Sequence, residues 1–180
     1  MVENARGYVM QETGIKRIWA PWRMRYIDGT HQDKGCIFCT KPEEDISKDR
    51  ENLILYRGKK AFIIMNLFPY TNGHVMVTPY KHTGNIEELD NEEILEVMRL
   101  TQFVVKAMKS IINPEGFNIG FNIGRPAGAG VVDHVHMHIV PRWVGDTNFM
   151  PLLAETKVIS EHIFDTYDKL KKALSEQGEL

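Results

Sequence analysis

Three histidines stand at i, i+2 and i+4 in the stretch His134-Val135-His136-Met137-His138-Ile139-Val140. Side chains alternate faces along a strand, so this spacing puts the three imidazoles on one face, roughly 6.5–7 Å apart. Val135, Met137 and Ile139 then point the other way, into a core. The stretch therefore demands a sheet with a packed interior behind it. The chain holds seven histidines, and an amphipathic surface strand has no need to gather three of them in register. Imidazole, with an ordinary pKa of about 6.5, serves as nucleophile, acid or ligand. A central ring flanked by two others predicts one attacking histidine, His136, with helpers on either side.

The segments around this stretch set the fold class. Residues 53–56 and 61–65 predict two short strands around the Arg57-Gly58-Lys59-Lys60 turn, and residues 74–79 a third. Residues 66–73 form a turn-rich connection. Asp90 caps the first long helix, and Glu93, three residues on, closes a capping box. Ile94, Val97, Met98, Val104, Val105, Met108, Ile111 and Ile112 form its apolar stripe, and Asn113-Pro114-Glu115-Gly116 ends it. Residues 117–121 predict a further strand. A last helix is expected over residues 157–174, with Ile159, Ile163, Phe164, Tyr167, Leu170 and Leu174 on one face. The order of strand meander, helix, strand, loop, strand, helix predicts an α+β domain with a mainly antiparallel sheet.

The loop before the histidines is rich in glycine: Asn122-Ile123-Gly124-Arg125-Pro126-Ala127-Gly128-Ala129-Gly130. Glycine permits positive φ and lets backbone N–H groups close on an anion. The loop is neither a Walker A motif nor a dinucleotide fingerprint, because it leads into a strand and lacks the Lys-Ser/Thr ending. A phosphate held beside a nucleophilic imidazole is a coherent site. Attack by His136 on phosphorus gives a phosphoramidate and splits one displacement into two. His138 then protonates the leaving oxygen. Asn122 either donates to a phosphate oxygen or closes an Asx turn on its own backbone. Asn66 is a candidate for ribose hydroxyls, and Phe68 or Ile64 for packing on a base. Trp143, in the polar and aromatic run that follows the histidines, is a candidate ligand contact. Arg125, Arg142 and Lys157 are candidate phosphate contacts.

Cys36 and Cys39, as Cys-Ile-Phe-Cys, are the only cysteines. In a reducing compartment such a pair is a metal half-site or a redox pair more often than a structural disulfide. His82 and His134 are candidate third and fourth ligands of a zinc ion. Four protein ligands would close that site and make it structural.

Bulk properties narrow the class further. A length of 180 residues predicts one domain, with residues 1–14 a flexible N-terminal extension. Twenty-two basic and 24 acidic side chains leave a formal charge of -2, so no broad basic field exists to hold a nucleic-acid polymer. No apolar run approaches the roughly 18 residues of a membrane span, and the first residues lack a secretory apolar core. A cytoplasmic protein is expected. The segment Trp19-Ala20-Pro21-Trp22-Arg23-Met24 predicts packing on the domain, on a dimer partner or on a ligand.

Taken together, these residues resemble the histidine-triad (HIT) superfamily, whose signature His-φ-His-φ-His-φ-φ is matched at every position from His134 to Val140. The stretch Met65-Asn66-Leu67-Phe68-Pro69-Tyr70-Thr71-Asn72-Gly73-His74-Val75-Met76-Val77 also resembles the superfamily's ribose-side strand and turn. The Trp19–Met24 segment and the residues after Pro141 resemble the bacterial branch that includes diadenosine tetraphosphate phosphorylases. The resemblance implies a two-layer α+β fold, a homodimer, and transfer of a nucleoside monophosphate from small-molecule nucleotide substrates. It implies that His136 is the nucleophile and His138 the leaving-group acid. Zn2+ falls to Cys36, Cys39, His82 and His134. Asn66 takes the ribose, while Asn122, Gly128, Ala129 and Gly130 take the phosphate. Hydrolase branches carry Gln-Ser or Gln-Thr where this chain has Gly130-Val131; what remains is backbone donors, which fits the phosphorylase-like branch.

Overall fold

The computed structural model describes residues 35–146 and 159–178. The expectations for residues 1–14, for Trp19 to Met24, for Lys157 and for residues 147–150 lie outside the described residues. Helix α1 (Ile37–Glu43) follows the first cysteine, and the single turn α2 (Asp49–Asn52) leads into the sheet. The strands are β1 (Ile54–Arg57), β2 (Ala61–Met65), β3 (Val75–Pro79), β4 (Gly116–Phe121) and β5 (Met137–Arg142). The long helix α3 (Asn91–Ile111) lies between β3 and β4 in sequence, and α4 (Ile163–Glu176) closes the chain. The five strands form one antiparallel sheet in the order β1-β2-β3-β5-β4. This is the α+β architecture anticipated from the order of elements.

Helix α3 starts where Asp90 and Glu93 place it. Asp90 Oδ1 accepts from the Glu93 N–H at 2.8 Å, and Glu93 Oε2 accepts from the Asp90 N–H at 2.9 Å. Its buried row differs from the expected stripe. Val97, Leu100, Thr101, Val104, Ala107 and Met108 pack inward, whereas Ile94, Met98 and Ile111 are exposed. The sequence carries apolar residues on both flanks of the true row, so periodicity alone selects too wide an arc. Helix α4 begins six residues later than expected, where the His162 imidazole accepts the Phe164 N–H at 3.3 Å. Tyr167 then donates its hydroxyl to the Ile54 carbonyl at 2.9 Å and ties α4 to β1.

Every residue of β2 and β3 is buried, so the middle of the sheet is covered on both faces. Each large side chain shut away there, such as Phe62 or Ile63, contributes roughly 1.5–3 kcal/mol. At the far edge β4 is half exposed, at Asn118, Ile119 and Gly120.

The histidine stretch departs from a regular strand in one respect. The paired ladder begins at Met137, so His138 lies within β5 while His134 and His136 precede it. The cause is β3, which ends at Pro79, a residue with no N–H to give to a ladder. Instead the Val135 N–H donates to the Thr83 carbonyl at 2.7 Å, and the Thr78 hydroxyl donates to the Val135 carbonyl at 3.2 Å. The rings come closer than an ideal strand allows: the His136 and His138 centroids are 4.8 Å apart.

Candidate active site and metal cluster

All three histidines of the stretch are buried, and for His134 and His136 a backbone carbonyl decides which nitrogen carries the proton. His136 donates Nδ1–H to the His134 carbonyl at 2.8 Å. A carbonyl only accepts, so the Nε2 lone pair of His136 is left bare, as a nucleophile requires. Phe38, itself fully buried, lies against this ring with centroids 4.8 Å apart. His134 donates Nε2–H to the Pro79 carbonyl at 2.8 Å, which frees its Nδ1 lone pair.

A fourth histidine sets the tautomer of His138. His74 is wholly buried at the start of β3. Its Nδ1 accepts the Tyr70 N–H at 3.1 Å, so its Nε2 carries the hydrogen and donates to His138 Nδ1 at 2.9 Å. His138 then holds its own proton on Nε2. The Asn122 Nδ2 lies 3.4 Å from that nitrogen; two donors cannot bond, so the carboxamide is assigned the flipped orientation, in which Oδ1 accepts from His138. Sequence reasoning gave His74 no role; its place at the head of a strand, after a turn, was the available signal.

Burial, followed by the nearby His136, depresses His138 from its ordinary 6.5 to about 4. Burial also lowers His134 and His136. Below pH 6.5 the unfolded chain binds a proton at residue 138 that the folded chain refuses, so stability falls as pH drops toward 4. After allowance for partial solvation the loss is about 1–2 kcal/mol, or roughly 2–8 °C in Tm. Calorimetry from pH 7.5 to 4.5 on the native chain and on His138→Asn measures it. An equal acid slope in both proteins would refute the assignment.

The remaining predicted contacts are placed as follows. Asn66 accepts the Phe68 N–H on Oδ1 at 2.9 Å, and its carboxamide nitrogen lies 3.3 Å from His74 Nδ1. Its amide therefore closes an Asx turn and supports His74. Phe68 is about half exposed, whereas Ile64 is core. In the glycine-rich loop, Gly124 and Gly128 adopt positive φ. The Gly128 and Ala129 N–H groups turn inward to the carbonyls of Arg125 and Gly124. Among the described residues the N–H groups of Gly130 and Val131 meet no acceptor. Trp143 donates its indole N–H to the carbonyls of Ile112 and Asn113, both at 3.2 Å, so the end of α3 takes up its polar edge.

Cys36, Cys39, His82 and His134 converge although they come from three separate segments. Cys36 Sγ lies 3.3 Å from His134 Nδ1, Cys39 Sγ lies 3.3 Å from His82 Nδ1, and the two Nδ1 atoms are 3.3 Å apart. A tetrahedral zinc with bonds of about 2.0–2.3 Å places such ligand atoms roughly 3.3–3.8 Å from one another. The cluster fits that ion, and the free Nδ1 of His134 is the nitrogen that faces it. Burial and the neighbouring Cys36 push the Cys39 thiol up to about 11, so a metal must displace a proton to bind there.

A buried histidine with a bare Nε2 thus stands beside an Nε2–H donor and near a glycine-rich turn. The chain belongs to the HIT domain family, which matches residues 47–144. It is 36% identical over 163 residues to a protein named AP-4-A phosphorylase from Mycobacterium tuberculosis, covering 88% of this chain and 84% of that one. It is 34% identical over 108 residues to an adenosine 5'-monophosphoramidase of Schizosaccharomyces pombe, covering 60% of this chain and 74% of that one. The fold matches a zinc-bound histidine triad family protein from Mycobacterium smegmatis with a TM-score of 0.62 at 23% identity, over 79% of this chain and 95% of that one.

Proposed function

We propose that the protein is a nucleotidyl transferase that cleaves dinucleoside polyphosphates through a nucleotidyl-histidine, with inorganic phosphate favoured over water as acceptor. The observation that carries this reading is the bare Nε2 of His136 beside the Nε2–H of His138. In the first step His136 Nε2 attacks the α-phosphorus. The P–N bond forms, the P–O bond to the polyphosphate breaks, and His138 Nε2–H meets the departing oxygen. In the second step a phosphate oxygen attacks the same phosphorus, the P–N bond breaks, and a nucleoside diphosphate leaves. The Gly130 and Val131 amides, with Asn122, are the donors assigned to the phosphate oxygens, and Asn66 to the ribose. The named mycobacterial relative, which covers most of the chain, supports phosphate as acceptor.

Zinc belongs to the same reading, held by Cys36, Cys39, His82 and His134 in a closed site that supplies rigidity and leaves no position for substrate. A homodimer is also part of it, supported by the exposed edge of β4; a monomer mass in sedimentation equilibrium would end that element. The free cysteines support a cytoplasmic setting.

The deciding experiment is product analysis with diadenosine tetraphosphate, with and without inorganic phosphate. ADP plus ATP formed only with phosphate establishes the phosphorylase. AMP plus ATP, or two ADP, without phosphate establishes a hydrolase. The fission-yeast relative favours a second reading, hydrolysis of an adenosine phosphoramidate. Rapid release of AMP from that compound, with diadenosine tetraphosphate untouched, selects it.

A further inference from the structure

A trough with polar and apolar lining runs away from His138 along the last two strands. In an antiparallel pair, directly opposed residues share a face. Gly120 opposes His138, Asn118 opposes Val140, and Gly116 opposes Arg142. The histidine face of β4 therefore presents glycine and asparagine in alternation. A Cβ built on Gly120 meets no atom within 4 Å, so open space stands over the backbone there. That space is a cleft of about 360 Å³ lined by Tyr70, Asn118, Gly120, Asn122, His138 and Arg142, among others. Its volume falls in the range of small-molecule sites, roughly 300–1,000 Å³.

The lining includes His138 and Asn122 but neither His136 nor the loop from Gly124 to Gly130. The cleft thus lies beyond the acid, on the far side from the nucleophile. From residue 118 to residue 122 the strand spans about 13 Å, room for a chain of linked phosphates and more than an amine needs. Arg142 closes the far end. It is clamped by Asp146 through two bonds of 2.6 and 3.0 Å, and it donates to Asn118 Oδ1 at 2.7 Å. That bond fixes the Asn118 amide and leaves its N–H2 as the donor end. Because Asp146 balances the charge of Arg142, the trough recognises its guest by shape and amide donors.

Resting on the nucleotidyl-transfer reading above, we propose that this trough is the leaving-group subsite, and that it selects a nucleoside 5'-polyphosphate over a small leaving group. His136 holds the nucleotidyl half; the departing polyphosphate lies along Asn122, Gly120 and Asn118.

Gly120→Val tests this, since a β-branched side chain suits a strand and the site has room for it in the free protein. Full-length native chain, Gly120→Val, Gly120→Ala and Gly116→Val are compared, with melting curves as the check on folding. Each is assayed on diadenosine tetraphosphate and on adenosine 5'-phosphoramidate, whose leaving group is ammonia, and AMP affinity is measured alongside. Gly120→Val is expected to lower kcat/KM for diadenosine tetraphosphate roughly 10- to 200-fold, the worth of a few misplaced methyl groups in a fitted pocket. The phosphoramidate rate and AMP affinity hold, Gly120→Ala falls between, and Gly116→Val behaves as the native chain. Equal losses on both substrates, or an equal loss of AMP affinity, overturn the subsite. If the native chain leaves diadenosine tetraphosphate intact, the reading beneath the proposal fails with it, an outcome distinct from an equal loss in the variants.

Discussion

His136→Ala is expected to remove nucleotidyl transfer by on the order of a thousandfold or more, with the fold retained. The size follows from what the ring is assigned to do: its Nε2 forms the P–N bond of the intermediate. Its Nδ1–H is already committed to the His134 carbonyl, so the ring is aimed before substrate arrives. Truncation leaves Phe38 and His138 in place, and the shallow cavity costs stability without undoing the sheet. Two measurements separate chemistry from collapse. One is turnover of diadenosine tetraphosphate; the other is trapping of a phosphorus-labelled protein by an alkaline denaturing quench, which preserves a P–N bond, and which the native chain gives and the variant does not. A variant that keeps turnover within a few-fold of the native rate removes His136 from the nucleophile's role.

The second large effect is expected at the cysteines. Zinc should be found at about one equivalent per chain and should be lost in Cys36→Ser. The cluster joins the segment before α1, the loop after β3 and the start of the histidine stretch. Without the ion, the cysteine arm is held to the other two segments by the Phe38 ring and by weak thiol–imidazole contacts, while the Val135–Thr83 and His134–Pro79 bonds still join the loop after β3 to the histidine stretch. A loss on the order of 3 kcal/mol corresponds to a fall of about 6–12 °C in Tm for a chain of this size. Activity should fall too, because Phe38 sits between the two cysteines in sequence and lies on the His134 and His136 rings. Metal analysis paired with calorimetry checks this. A native chain free of metal that melts where the chelated and Cys36→Ser proteins melt would dispose of the structural zinc.

Much of this site could be read from residue order because its parts are local. The alternation from His134 to Val140 is visible in seven consecutive residues, and the Asp90–Glu93 box in four. Cys36 and Cys39 announce half of a metal site at short range. What stayed hidden depends on partners far along the chain. The proton on His138 is decided by Tyr70 and His74, 64 residues away from it in the second case. The ladder's start at Met137 is decided by Pro79. The true packing row of α3 is decided by which flank the sheet meets, and Trp143 is turned by carbonyls at the end of α3. The Gly128 and Ala129 amides looked like donors for a ligand until their own loop claimed them.

The placement of Cys36 and His134, 98 residues apart, also governs when the protein becomes complete. Synthesis delivers the thiols well before the histidine stretch. Closing so long a loop carries an entropic cost that grows only slowly with length, but it cannot begin until most of the chain exists. A ribosome-bound or truncated fragment ending before residue 134 therefore carries three of the four residues of the cluster and lacks both His134 and His136. The ring assigned to the attack and the last residue of the cluster therefore arrive together, two positions apart.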